Sequence, residues 1–195
     1  MTSLPSTIIA DLRRKALWCY ESDRASAMLR TLCTDGTMAM VLYRLMQWSR
    51  RRRIVPLEML CNKLNATLCN CIIGRGAEFG SEFVLIHSSG VVINGAVRGG
   101  DGILIEHQVT IGAERRASPV IGNGVFFGAG AKIIGAVTIG DGARIGANAV
   151  VVDDVPAHAT AVGVPARIVG AATDPNDGLH DGLPDGLHDG KARAA

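Results

Sequence analysis

Two histidines in this 195-residue chain have the chemistry and the spacing for acid–base work. His87 and His107 each stand two positions after an aliphatic residue, in the segments L-I-H and I-E-H. Imidazole gains and loses a proton near neutral pH, so either ring is able to take a proton from a hydroxyl group or return one. Such chemistry requires that the rings be held in place, and the surrounding sequence predicts how this is done.

A six-residue repeat fills the middle of the chain and predicts its fold. Aliphatic or aromatic residues recur at strict intervals of six, and a small or β-branched residue follows four positions after each. One set is Ile121, Phe127, Ile133, Ile139, Ile145 and Val151, and the same phase continues upstream to Ile73. A period of six fits short strands joined by corners, with three hexads closing one triangular coil. We therefore predict a mainly β protein, a left-handed parallel β-helix of hexapeptide repeats. Its left-handed coiling is opposite to the right-handed crossover that usually connects parallel strands.

The repeat predicts that the two histidines lie together. Two extra residues follow the hexad that contains His87, and four more lie between Ile111 and Ile121 and give the loop 113–119. Once the first insertion is absorbed, His87 and His107 occupy the same hexad position one full coil apart. We therefore expect them to lie about 5 Å from each other, with Ala129 next in the column.

The segments on either side of the repeat differ from it in composition. Residues 1–70 carry apolar residues at helical spacing and predict an N-terminal subdomain of two or three amphipathic helices. Residues 71–172 form the predicted β-helix domain. Residues 173–195 repeat the motif D-G-L-H or D-G-L-P, and we expect a disordered low-complexity tail because this composition cannot bury a core.

Composition and charge exclude several classes of protein. A formal net charge of +2 is too small to argue for nucleic-acid binding, and the five cysteines lack the paired spacing of a metal site. The chain shows no signal peptide and no run of about 18 apolar residues, so we expect a cytoplasmic protein. The arginine run 50–53 either contacts an anionic membrane surface or, as such runs more often do, forms a solvated helix end.

Three stretches of the chain resemble a known family. They are LIHSSGVVING at 85–95, VFFGAGAKIIGAVTIGDGARIGANAVVV at 125–152 and AVGVPARIVG at 161–170. In this combination the chain resembles the serine O-acetyltransferases and their relatives in the hexapeptide acyltransferase superfamily. The resemblance implies transfer of an acetyl group from acetyl-CoA to a hydroxyl acceptor. It also implies a homotrimer with active sites between subunits.

The resemblance assigns roles to particular residues. It implies that His87 is the general base, whereas His107 is either a second catalytic imidazole or a surface residue of the same column. The residues implied for CoA binding are small column residues, the C-terminal motif and two cations: Gly128, Ala129, Lys132, Gly146, Ala147, Gly163, Pro165, Ala166 and Arg167. Lys132 and Arg167 are the phosphate candidates among them. The small residues fit equally well as plain corner residues of the repeat.

Three positions depart from the family pattern, and they bear on the acceptor. Ile72 stands where the family has the aspartate that orients the base, and Ile86 stands where it has an aspartate that contacts the amino-acid substrate. Ala117-Ser118 replaces a second family histidine. These losses leave both L-serine and a sugar hydroxyl of a polysaccharide pathway open as acceptors. They also raise an alternative, a catalytically inactive β-helix that serves as a scaffold or regulatory subunit.

Other charged residues are candidates to replace the missing groups. Glu82 and Glu106 are candidate orienting carboxylates for the base. Glu106, Arg115 and Arg116 are candidate substrate-binding residues, the two arginines through an anionic group of the acceptor or of CoA. We expect the loop 113–119, which carries them, to reach toward His87 of a neighbouring subunit.

Overall fold

The chain is helical at its start and forms short strands thereafter. The computed structural model describes residues 3–114 and 117–171, and within these ranges it has four helices and fifteen strands. The helices are α1 Leu4–Tyr20, α2 Ala25–Thr31, α3 Thr37–Arg51 and α4 Val55–Leu68. Two or three helices were expected. The additional helix is α2, which has seven residues and buries only Ala27 and Thr31, too few to give a recognisable periodicity.

The strands stack into three parallel sheets and form a left-handed parallel β-helix, as predicted. They are β1 Ile72–Ile73, β2 Glu78–Phe79, β3 Val84–Leu85, β4 Val92–Ile93, β5 Arg98–Gly99, β6 Leu104–Ile105, β7 Thr110–Gly112, β8 Val120–Ile121, β9 Phe126–Phe127, β10 Lys132–Ile134, β11 Thr138–Ile139, β12 Arg144–Ile145, β13 Val150–Val151, β14 Ala159–Val162 and β15 Arg167–Ala171. Sheet A has the order β1-β4-β7-β10-β13, and sheet B has the order β2-β5-β8-β11. Sheet C has the order β3-β6-β9-β12-β14-β15, in which only β15 runs antiparallel.

The registers show how the insertions are absorbed. Ile93 pairs with Ile111, an 18-residue coil of three hexads, whereas Ile73 pairs with Ile93 and Ile111 with Ile133 across longer coils. The inward side chains of these four strands are all buried, at 0–1% exposure. The extra residues therefore bulge outward at the corners and leave the core columns in register.

Glycine occurs at two positions of the repeat for two different reasons. Gly122 and Gly128 do not have positive φ, but a Cβ on either would approach the next coil to 2.3 and 2.7 Å. Positive φ occurs two positions later, at Gly124 and Gly130, with φ of 63° and 74°. Close stacking of the coils thus selects glycine at the first position, and the turn of the backbone selects it at the second.

Helices α1 and α3 pack on the outer face of sheet C. Val84 and Leu104 point outward from the coil and are nevertheless buried, and Trp18 of α1 stacks on Phe126 with ring centroids 5.5 Å apart. A buried ion pair joins Arg44 of α3 to Asp11 of α1, with Nε and Oδ2 2.6 Å apart.

Both members of this pair also bond to the coil. Arg44 donates to the carbonyl oxygens of Phe79 and Gly80, and Asp11 accepts from the Phe83 N–H. The position of the helices on the coil is therefore fixed by directed polar contacts as well as by apolar packing.

Two sequence features of the helices also have structural outcomes. Arg50, in the run of four arginines, pairs with Glu58 of α4, which pairs in turn with Arg75 of the first coil. None of the helices in the described part of the chain combines the length and the apolar character needed to cross a membrane.

Candidate active site

His87 and His107 lie together at the corner between sheets C and A. His87 follows β3 and His107 follows β6, and these strands are neighbours in sheet C. The two rings are 5.9 Å apart between centroids and meet edge to face at 76°. The distance is close to the value expected from the repeat. Both side chains remain about half exposed, at 53% and 45%.

A carboxylate from the helical subdomain contacts His87. The Oδ2 atom of Asp35, in the loop between α2 and α3, lies 3.2 Å from His87 Nδ1. The other oxygen of Asp35 accepts from the Gly36 N–H at 2.7 Å and from the Ser88 hydroxyl at 3.2 Å. Partial burial alone would raise the pKa of Asp35, but the bonds from Gly36, His87 and Ser88 outweigh it and hold the pKa below its ordinary value. Asp35 is therefore ionised at the near-neutral pH values at which an imidazole acts as a base.

The Asp35 loop is held against the coil at two points. Gly36 has φ of 78°, and a Cβ there would lie 2.4 Å from the carbonyl oxygen of Leu85. Lys15 of α1 is fully buried, and its Nζ donates to the Leu85 carbonyl oxygen at 2.9 Å and to the Asp35 carbonyl oxygen. Burial lowers the pKa of Lys15 to about 8. One buried amine thus joins α1, the Asp35 loop and strand β3.

The two carboxylates that the sequence suggested for His87 lie elsewhere. Glu106 is paired with His107, its own neighbour in sequence, with Oε2 3.5 Å from Nδ1. Glu82 precedes β3 and has positive φ of 58°, and within the described residues the carboxylate that contacts His87 is that of Asp35. Sequence reasoning missed Asp35 because it lies 52 residues before His87, in a segment without repeat periodicity.

The carboxylate contact determines which ring nitrogen of His87 is able to accept a proton. An imidazole whose Nδ1–H donates to a carboxylate is held in one tautomer and presents the lone pair of Nε2. The pair of Asp35 with His87 has this form, whereas Glu106 lies beside Nδ1 of His107 at an ion-pair distance. One oriented nitrogen with a second imidazole beside it, at a half-exposed corner, suits the removal of a proton from a bound hydroxyl group.

The column that holds the histidines continues through three of the nine residues implied for CoA binding. In the register of sheet C, Leu85 is followed on successive coils by Ile105, Phe127, Ile145 and Ala161. The column two residues further along each coil therefore runs through His87, His107, Ala129, Ala147 and Gly163. After the second histidine this column has no large side chain, so it forms a shallow track that begins at the two imidazoles.

The remaining candidates for CoA binding lie beside this track. Lys132 is on β10 of sheet A, next to Val150, and Val150 bonds to Gly163 and Ala166 through its backbone. The Lys132 Nζ donates to the Gln108 carbonyl oxygen at 2.5 Å. Gly128 and Gly146 immediately precede the track residues, and Pro165 and Arg167 belong to the final turn, in which the Arg167 guanidinium is exposed.

The departures from the family pattern have different surroundings. Ile86 is buried, at 7% exposure, and Ile72 lies on the outer face of sheet A. Ala117 pairs with Glu114 across the loop 113–119, and the Ser118 hydroxyl donates to the Asn94 side chain. Arg115 and Arg116, and the predicted tail 173–195, lie outside the described residues.

Comparison with known sequences supports the hexapeptide repeat. Residues 118–153 match the family described as bacterial transferase hexapeptide (six repeats). The chain is 37% identical over 180 residues to a serine acetyltransferase of Synechococcus elongatus, covering 88% of this chain and 72% of that protein. It is 38% identical over 142 residues to a serine acetyltransferase of Helicobacter pylori strain J99, covering 71% of this chain and 83% of that protein.

Solved structures give the same result at the level of the fold. A serine acetyltransferase of Neisseria gonorrhoeae superposes with a TM-score of 0.78 at 31% identity, over 88% of this chain and 68% of that one. A serine acetyltransferase in complex with CoA has a TM-score of 0.76 at 29% identity, over 86% and 70%. A soybean serine acetyltransferase complexed with serine has a TM-score of 0.75 at 35% identity, also over 86% and 70%.

Proposed function

Because this chain belongs to the serine acetyltransferase family of hexapeptide-repeat acyltransferases, we propose that it transfers the acetyl group of acetyl-CoA to a hydroxyl group, with L-serine as the first acceptor to test. The observation that carries the proposal is the carboxylate-paired imidazole of His87 at the start of a track of small residues. The alternative of an inactive scaffold is set aside, because the chain is an acyltransferase by family and its base retains a carboxylate partner.

The proposed reaction is a direct transfer assisted by His87. Nε2 of His87 takes the hydroxyl proton as the acceptor oxygen attacks the thioester carbonyl carbon of acetyl-CoA. A C–O bond forms and the C–S bond breaks, and the proton passes from the imidazolium to the departing thiolate, so the base is regenerated. His107, paired with Glu106, faces the same space and is proposed as a second catalytic imidazole that bonds the acceptor or the leaving group.

A thiol-release assay tests the proposal. Wild-type protein is expected to release CoA from acetyl-CoA only when a hydroxyl acceptor is present. His87→Ala is expected to lower kcat by about 10²–10⁴-fold, because a positioned general base contributes about that much. His158→Asn is the matched control, since it removes an imidazole at a different corner whose φ of 56° suits asparagine. Full turnover in His87→Ala would contradict the assignment of the base.

The acceptor is the finer part of the proposal. The relatives named above are serine acetyltransferases, which supports L-serine. Ile86 favours a second candidate, a sugar hydroxyl, because a buried apolar side chain at this position offers nothing to an ammonium group. Comparison of kcat/KM for L-serine with that for a panel of hexose and sugar-alcohol acceptors decides between the two candidates.

The residues proposed for CoA binding beside the track of small residues lead to a separate prediction. Arg167→Ala and Lys132→Ala are each expected to raise KM for acetyl-CoA by about 10-fold with little change in kcat, because a hydrogen bond to a charged group is worth roughly 1.5–3 kcal/mol. The same test applies to Arg115 and Arg116 as anion-binding candidates. Lys63→Ala on α4 is the control that removes a cation far from the track. Unchanged KM in the Arg167 and Lys132 variants would remove them from the proposed site.

The proposed assembly is a homotrimer with the site between subunits. The half-exposed side chains of His87 and Asp35, and the exposed Ile72 and Val92 on the outer face of sheet A, support burial of this corner by a second copy. Sedimentation equilibrium is expected to give three times the chain mass, and Val92→Arg is expected to reduce both the mass and the turnover. Val120→Arg, on the exposed face of sheet B, is expected to change neither.

A further inference from the structure

We propose that Asp35 is the positioning residue for His87, and that Lys15 holds it in place, so that the helical subdomain supplies part of the acetyl-transfer machinery. The inference rests on the proposed function and deepens it. In it, the base belongs to the β-helix while the group that orients it comes from the loop between α2 and α3.

The Asp35 carboxylate has a defined direction. One oxygen is taken by the Gly36 N–H and the Ser88 hydroxyl, which leaves Oδ2 directed at His87 Nδ1. The Ser88 hydroxyl also lies 3.2 Å from the carbonyl oxygen of Cys69, the residue that follows α4. Because His87 and Ser88 are adjacent, the carboxylate bonds two neighbouring residues of the coil and fixes the ring relative to its own backbone.

The Asp35 loop cannot shift without breaking buried contacts. Lys15 is at 0% exposure, and both of its bonds end on backbone carbonyl oxygens, one of the Asp35 loop and one of strand β3. Loss of this amine would leave the buried Leu85 carbonyl oxygen and the partly buried Asp35 carbonyl oxygen short of a donor, which is costly. Lys15 therefore acts on His87 through Asp35 and does not touch the reacting atoms itself.

The other charged groups near His87 have different partners. Glu106 is committed to His107 on the adjacent coil. The Lys15 ammonium donates to the two carbonyl oxygens. The thiol of Cys19 interacts electrostatically with Lys15, and the thiol of Cys69 interacts electrostatically with Asp35. Asp35 is thus the group facing Nδ1 of His87 among the described residues from α1, the α2–α3 loop, the end of α4 and β6.

The experiment combines turnover with a direct observation of the imidazole. In wild-type protein, ¹⁵N NMR of the His87 ring is expected to show the tautomer with hydrogen on Nδ1, and Asp35→Asn is expected to give a mixture of tautomers. The same variant is expected to lower kcat by about 10²-fold with KM for acetyl-CoA within about twofold, because it disturbs the base and not the CoA track. Asp35→Glu is expected to recover part of the lost turnover. Asp23→Asn, which removes a carboxylate from an exposed pair with Arg13, is the control and is expected to change neither readout.

A double-mutant cycle tests the role of Lys15. Lys15→Met is expected to lower kcat in the wild-type background by about 10-fold and to add less than about twofold in the Asp35→Asn background, because contacts in one network are not additive. Equal effects in both backgrounds would overturn the role of Lys15. Wild-type turnover and an unchanged tautomer in Asp35→Asn would overturn that of Asp35. If wild-type protein acetylates no acceptor, the proposed function fails, but the tautomer measurement still decides whether Asp35 orients His87.

Discussion

The helical subdomain and the β-helix are stabilised in different ways. The coils repeat one apolar pattern, and their inward residues, such as Ile93 and Ile133, are buried at 0–1% exposure. The helices instead bury individual charged residues, among them Lys15 at 0% and Arg44 at 3%. A repeated apolar column tolerates small changes in any one coil, whereas a buried charge depends on each of its partners. The difference predicts that the two regions will respond differently to substitution.

The largest expected effect is in the helical subdomain. Arg44→Met leaves Asp11 buried without its ion-pair partner, so we expect the free energy of unfolding to fall by about 3–5 kcal/mol. Urea denaturation measures this loss. Arg13→Met, which breaks an exposed pair with Asp23, is the matched control and is expected to cost less than about 1 kcal/mol. Equal losses in the two variants would contradict the view that the buried pair fixes the helices on the coil.

The next effect is a dependence of stability on pH that comes from Lys15. Its pKa is about 8 in the folded protein, against an ordinary value of 10.5, so between these values the unfolded chain binds more protons than the folded one. The contribution of Lys15 to the free energy of unfolding should therefore rise from pH 8 to pH 10.5, by at most about 3 kcal/mol.

The comparison of wild-type protein with Lys15→Met isolates this contribution, because the buried cysteines that titrate at high pH are common to both. Denaturant unfolding at intervals between pH 7.5 and 10.5 gives the difference in stability between the two proteins. A difference that does not change with pH would mean that Lys15 is not buried as a charged group below pH 8.

The smallest expected effect is in the β-helix. Ile93→Val and Ile145→Val each remove one methylene from the core, so each is expected to cost about 0.5–1.5 kcal/mol. Their costs should add within about 0.5 kcal/mol, because the two residues lie in well-separated coils. Strong coupling between them would show that the coils do not behave as independent layers.

The same contrast explains how much of the molecule the sequence predicts. The column of His87 and His107 was predicted because the coil register depends only on counting hexads and placing two insertions. Asp35 was missed because its contact with His87 depends on how separate helices dock on sheet C, which no local pattern encodes. Helix α2 was missed for a related reason, since it has too few buried positions to show a period.

The regular stacking of the coils also fixes distances along the β-helix axis. From His87 to Gly163 the column takes four steps of one coil each, which at about 4.8 Å per step gives a length of about 19 Å. The distance between the two ends of the proposed site is therefore set by the number of whole coils and not by any one side chain. Deletion or duplication of a single 18-residue coil would change this distance by one fixed increment and leave the contacts within each remaining layer intact.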